Sequence, residues 1–165
     1  MENFIIDANA IKEFQEERIN SANTIIQECM SFMLTDGVIV LDSKEIILNE
    51  WISCASFGDS LTAWVDEMIL NGKITLIDYS NDSNLSKKIK ILGMPTKDRK
   101  YVQLAFAASA KAIVTNDIDF YSPEEKGCTS ERAKIIKNKK LGKVCKFLKK
   151  DLGVLVCDWL EIKEI

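Results

Sequence analysis

Four acids in this chain stand where one pocket could collect them: Asp7, Glu50, Asp98 and Asp117. Asp7 ends the apolar run Phe4-Ile5-Ile6, and Asp117 follows a second run, Ala112-Ile113-Val114-Thr115. Glu50 falls near the start of a helical stretch after the run Val38-Ile39-Val40-Leu41, and Asp98 opens another helical stretch that leads to Ala112. In an open α/β sheet, ligands bind beyond the carboxyl ends of the strands, at the point where strand order reverses. If the strands that end at Asp7 and Asp117 are neighbours there, the carboxylates share a crevice. Like charges at such separations raise one another's pKa and repel, so the cluster calls for a cation. With oxygen donors alone the cation is a hard one, Mg²⁺ or Mn²⁺. Such an ion makes water easier to deprotonate and neutralises charge growing on a phosphoryl oxygen; phosphodiester hydrolysis is the reaction this equipment suits.

The remaining composition narrows the chemistry further. There is no histidine, which excludes His-ligated zinc, Ser-His-Asp triads and Cys-His nucleophiles within the chain. The five cysteines (Cys29, Cys54, Cys128, Cys145, Cys157) are an odd set without CxxC spacing and read as reduced core thiols. No basic segment leads into a long apolar run and no stretch approaches a membrane span, so the expectation is a cytoplasmic protein with no membrane partner. Charge is distributed unevenly. From Glu124 to Lys150 ten Lys or Arg face three Glu, a local balance of +7 in a chain whose net charge is −3. A basic block beside an acidic body suits a protein that grips phosphates on one surface and metal on another; a Lys-rich solvated helix face gives the same count.

The elements that must position the acids follow from hydrophobic patterning. Five apolar runs (Phe4 to Ile6, Val38 to Leu41, Ile74 to Ile77, Ala112 to Thr115, Val154 to Cys157) read as buried parallel strands. Periodic segments at about 10 to 33, 45 to 71, 83 to 92, 97 to 111 and 131 to 151 read as helices between them. Turn signals at Asp36-Gly37, Asn71-Gly72, Asn81-Asp82-Ser83, Gly93-Met94-Pro95 and Leu152-Gly153 separate the two kinds of segment. No repeat, linker or low-complexity tract divides the chain, so residues 1–165 are expected to form a single α/β domain with a Lys-rich helical segment at about 124–150.

Four stretches carry a more specific likeness. Phe4-Ile5-Ile6-Asp7-Ala8-Asn9, Ile47-Leu48-Asn49-Glu50-Trp51, Asp98-Arg99-Lys100-Tyr101-Val102-Gln103-Leu104-Ala105 and Ile113-Val114-Thr115-Asn116-Asp117-Ile118-Asp119-Phe120 resemble, in order and spacing, the successive motifs of PIN-domain nucleases. The resemblance implies a three-layer fold with a central parallel five-stranded sheet of order 3-2-1-4-5 and an acidic Mg²⁺ or Mn²⁺ pocket. It further implies endoribonuclease activity on single-stranded or structured RNA. Many members of that family are toxins of two-gene toxin-antitoxin pairs and many are dimers, so an antitoxin protein and a homodimer are implied partners. On this reading Asp7, Glu50, Asp98 and Asp117 are catalytic, Asp7, Asp98, Asp117 and Asp119 hold metal, and Asn9, Thr115, Asn116, Lys97, Arg99 and Lys100 meet substrate.

Each of these residues has a plainer reading. Asp7 could begin a turn, although its place at the mouth of a parallel sheet favours metal. Glu50 could be a solvated helix residue, but Cys54 at i+4 and Phe57 at i+7 place it on the apolar face; Glu45 is the competing helix acid. Asp98 could serve only to offset the positive end of a helix dipole. Asp117 precedes no obvious helix, which favours function, while Asp119 is either a further ligand or an Asx-turn residue before Phe120. Thr115 and Asn116 either orient Asp117 or simply finish a strand. Lys97, Arg99 and Lys100 either hold phosphates or are ordinary surface charges. Trp51, Trp64 and Trp159 read as core. The competing functions are a non-catalytic RNA- or protein-binding module of the same fold and, more distantly, an aspartate phosphotransferase with Asp7 as nucleophile. The phosphotransferase would want a second Asp where Asn9 stands.

Overall fold

The computed structural model describes residues 1–20, 25–55 and 59–165. Five strands, β1 (Glu2–Ile6), β2 (Gly37–Asp42), β3 (Ile74–Ile77), β4 (Ala112–Val114) and β5 (Leu155–Cys157), form one sheet of order β3-β2-β1-β4-β5. Every pairing is parallel, as the apolar runs predict, with Phe4 opposite Ile39 on one side and Ala112 on the other. All six residues of β2 are buried, as are Phe4 to Ile6 of β1 and all of β4. Strands buried at consecutive positions must be covered on both faces, because successive side chains point to opposite sides.

The covering helices are α1 (Ala8–Asn20), α2 (Ile25–Thr35), α3 (Ile46–Ala55), α4 (Asp59–Leu70), α5 (Ser83–Ile91), α6 (Arg99–Ala107), α7 (Ser130–Asn138) and α8 (Lys143–Phe147). Helix α1 packs against α2 and α3, whereas α6 packs against α5 and lies on β1, β2 and β4. The three tryptophans are core residues, and each ties one element to another: Trp51 Nε1 donates to the Ile6 carbonyl (3.0 Å), Trp64 Nε1 to the Met30 carbonyl (3.3 Å) and Trp159 Nε1 to the Ala10 carbonyl (2.9 Å). All five cysteines are free, but they are not all core: Cys54 is exposed, because this turn of α3 faces solvent with Ile52 and Ser53 exposed beside it, and Cys128 is half-buried. Among the described residues no helix is long and apolar enough to cross a membrane.

The Lys-rich segment is not one helix. It runs through a 3-10 turn (Pro123–Glu125), then α7, then α8 continued by a π turn (Leu148–Leu152). The break at 139–142 has a steric cause. A Cβ on Gly142 would lie 1.7 Å from the Tyr121 carbonyl oxygen, so only glycine lets the chain pass there, and Val144 N donates to that same carbonyl. Periodicity across 131 to 151 does not register such a contact, since Tyr121 lies outside the window.

Candidate active site

The sheet order puts β1 between β2 and β4, so the reversal of strand order falls at the carboxyl ends of β1 and β4. Asp7 follows β1 directly, and its N–H extends the ladder by donating to the Val114 carbonyl (3.0 Å). Its own carbonyl accepts from Ala10 N and Ile11 N as α1 begins. Thr115, Asn116 and Asp117 follow β4. Thr115 ties the two strand ends together: its hydroxyl donates to Asp7 Oδ2 (2.8 Å) and accepts from the Asp117 N–H (3.0 Å). A residue that could have been merely the end of a strand thus aligns two acids.

Asp117 carries a role the sequence did not disclose. It starts a 3-10 turn (Ile118–Phe120), with Oδ1 accepting from Asp119 N (3.0 Å) and Oδ2 from Asn9 Nδ2 (2.9 Å). The expectation that no helical turn follows Asp117 is therefore corrected. The turn is too short to show in an apolar pattern, and it is what swings Asp119 inward to complete burial. The Asx turn belongs to Asp117, not to Asp119.

Asp98 sits at the N-terminus of α6, yet its side chain caps nothing. Its Oδ2 and the Oδ1 of Asp119 are buried oxygens with no hydrogen-bond partner among the described residues. Asp98, Asp117 and Asp119 each offer an oxygen within 4.8 Å of the others. Oxygens bound to magnesium at about 2.1 Å lie within about 4.2 Å of one another, so a small side-chain adjustment would let these three hold a hard divalent ion. Asp7 stands outside that closest trio but within its field. Burial raises Asp7 to about 6, with Asp117 and Glu50 pushing the same way and the Thr115 hydroxyl opposing. Asp98 is raised to about 7, again chiefly by burial, with Lys97 opposing and Asp117, Asp7 and Asp119 adding to it. Buried carboxylates left without donors are held in this state only at a cost that a bound cation would offset.

Glu50 reaches the same mouth, though not for the reason its spacing offers. Cys54 is exposed, so the i+4 relation does not mark an apolar face, and Phe57 lies outside the described residues. What holds Glu50 is α6: Tyr101 donates its hydroxyl to Glu50 Oε2 (2.5 Å), and Lys100 Nζ lies 2.8 Å from the same oxygen. The rival acid, Glu45, is exposed in the turn before α3 with φ of 59°, whereas Glu50 is the one held by Tyr101 and Lys100.

The basic residues around Asp98 divide by contact. Lys97 is exposed and 3.9 Å from Asp98 Oδ1, Lys100 pairs with Glu50, and Arg99 turns back to donate from Nε to the Met94 carbonyl (2.9 Å). Asn116 faces away from the acids: its side-chain amide donates to Glu13, while Lys137 donates to its carbonyl (2.9 Å). Two residues of the site were not singled out from sequence. Tyr101 accepts from Ala8 N (3.3 Å) while donating to Glu50, and Lys126 Nζ meets Asp119 Oδ2 at 2.7 Å. The spacing of Tyr101, three residues beyond Asp98 on one helix, was a usable signal; Lys126 sits in a turn and had none.

Comparison of the chain with protein-family models, with curated proteins and with solved structures finds no match. The case for chemistry at this mouth therefore stands on its geometry.

Proposed function

We propose that this protein is a metal-dependent endoribonuclease of the PIN type, cutting RNA phosphodiester bonds at the mouth between β1 and β4. The observation that carries the reading is the trio Asp98, Asp117 and Asp119, in which two oxygens are buried without a donor among the described residues, at the strand-order reversal. The all-oxygen donor set suits Mg²⁺ or Mn²⁺. When bound there, the ion would supply Lewis-acid stabilisation of a phosphoryl oxygen and a more acidic water.

The chain's own residues do the rest. Asn9 and the Asp119 N–H fix the Asp117 carboxylate, and Thr115 fixes Asp7 against it. Asp7, aligned beside Asp117 by the Thr115 hydroxyl, is the carboxylate placed to accept a proton from attacking water. Tyr101 and Lys100 hold Glu50 beside it. Lys97 at the rim supplies positive charge for the RNA backbone, giving salt-dependent affinity. Asn116 is turned to Glu13, and the Met94 carbonyl anchors Arg99 through its Nε.

The test is cleavage of a mixed set of fluorescent single-stranded RNAs in Mn²⁺, Mg²⁺ or EDTA by the wild-type protein and by Asp7→Asn and Asp117→Asn. Cutting is expected with either metal, absent in EDTA, and reduced about 100-fold or more in both folded variants, the loss that goes with several kcal/mol of transition-state stabilisation. A wild-type protein that cuts nothing, or variants that cut equally well, would replace this reading with a binding module of the same fold.

A further inference from the structure

Besides Lys100 on Glu50 and Lys97 near Asp98, a third ammonium reaches the acid mouth, that of Lys126. Asp119 is fully buried, whereas the Lys126 side chain paired with it is 61% exposed, so the lysine reaches in from the surface to a carboxylate that solvent does not touch. Lys126 lies outside α7, between the Pro123–Glu125 turn and Gly127, whose φ of 86° marks a tight reversal. Its stem is therefore tethered only by a turn, and lysine is a flexible four-carbon arm with a compact charge. The ammonium meets Asp119 Oδ2; among the described residues Asp119 Oδ1 and Asp98 Oδ2 have no donor.

We propose that Lys126 is a built-in, exchangeable counter-ion of the acid pocket, paired with Asp119 in the metal-free protein and displaced from it when a divalent cation binds. The inference rests on the cation site and not on the nuclease reading. An ammonium meets one carboxylate of the trio, whereas a divalent ion can meet all three, so the metal wins the exchange when present. Whichever oxygen of Asp119 the ion takes, an ammonium 2.7 Å from the same carboxylate stands a few ångströms from the ion, and like charges at that range repel. Lys126 thereby sets a threshold on metal binding: it lowers the repulsion among the acids in the metal-free protein and competes with the ion that replaces it.

Two measurements test this on the intact chain. Acetylation by an amine-reactive ester, read by peptide mass spectrometry, should rise about threefold or more at Lys126 when Mn²⁺ is added and return with EDTA, as a released ammonium requires, while exposed Lys87 on α5 stays constant. In calorimetric titration, Lys126→Gln should bind Mn²⁺ about threefold or more tighter than wild type, and Lys126→Arg should remain near wild type. The labelling needs no variant, so it decides the matter even if Lys126→Gln fails to fold. Unchanged Lys126 labelling at Mn²⁺ concentrations that calorimetry shows to saturate the wild-type protein would by itself overturn the exchange and leave the cation site intact, as would equal Mn²⁺ affinity of wild type and Lys126→Gln. Weaker Mn²⁺ binding by Lys126→Gln would overturn it too, marking Lys126 as a residue that orients Asp119. Absence of Mn²⁺ binding in wild type and variant alike would overturn both the exchange and the cation site.

Discussion

Two buried aspartates at the carboxyl edge of this sheet have opposite fates. Asp42, the last residue of β2, is 2% exposed, and its carboxylate accepts from Ile46 N and Ile47 N (both 2.8 Å) to cap α3. Asp98, at the start of α6, is 4% exposed, caps nothing, and keeps an oxygen with no donor among the described residues, beside two further acids. Burial is the same in both places, and what differs is whether the backbone supplies partners. A buried carboxylate that satisfies orphan N–H groups at a helix start supports the fold. One that is buried, unpartnered and crowded by its own kind works against the fold and needs another reason to be there.

The comparison is broken or sharpened most strongly by exchanging the two acids' side chains for neutral ones. Asp98→Asn should lower metal-dependent RNA cleavage about 100-fold or more, the scale of losing several kcal/mol of metal-assisted stabilisation. The same variant without metal at pH 8 should melt no lower than wild type, because a crowded charge has been removed. Cleavage assays and thermal melts on one preparation check both halves, and a melt that drops by several degrees would show Asp98 to be a structural acid like Asp42.

Asp42→Ala should do the reverse. Losing two backbone hydrogen bonds to a charged cap should cost about 2–3 kcal/mol. That corresponds to a melting point lower by about 4–10 °C for a chain of this size. Mn²⁺ affinity of the folded fraction should be unchanged; a calorimetric titration that shows it weakened would place Asp42 in the metal site's support.

The smallest effect is on pH dependence. Asp7 and Asp98 are raised in the folded chain, to about 6 and about 7, so between their ordinary range near 3.8 and those values the folded state binds more protons than the unfolded one. Stability of the metal-free protein from these groups is thus greatest at the acid end and is lost as pH rises through about 6 to 7. Moving from pH 8 to 5.5 would stabilise it by roughly 3 kcal/mol if both shifts acted in full, and solvent screening at the open mouth reduces this to about 1–2 kcal/mol. Denaturant titrations at the two pH values should show this gain in wild type and a smaller one in Asp98→Asn, and a stability that instead falls on acidification would contradict the raised carboxylates. Added Mg²⁺ should stabilise more at pH 8 than at pH 5.5, where protons compete for the same oxygens.

Much of this arrangement was legible in the residues themselves. Continuous apolar runs identify parallel strands covered on both faces, and the runs at Phe4, Val38, Ile74, Ala112 and Val154 became β1 to β5; β3 alone among these is not buried, with Thr75 and Leu76 exposed, because it lies at the edge of the sheet. Acids placed directly after such runs must lie at the strands' carboxyl ends, so Asp7 and Asp117 could be assigned to one edge from their positions alone. What only the tertiary structure decided was who meets whom. Asp119 joins Asp98 and Asp117 through a 3-10 turn too short for any periodic signature, and Glu50 is drawn in by Tyr101 and Lys100, not by the i+4 relation to Cys54. Asn116 turns to Glu13 although it adjoins Asp117, since successive residues leaving a strand point to opposite sides. Lys126 reaches Asp119 from a turn that no local pattern connects to the sheet. Periodicity is set by neighbours along the chain, which is why the sequence determined the elements and their order. Convergence is set by strand register and by which turns fill the gaps between elements, and those are properties of the folded whole.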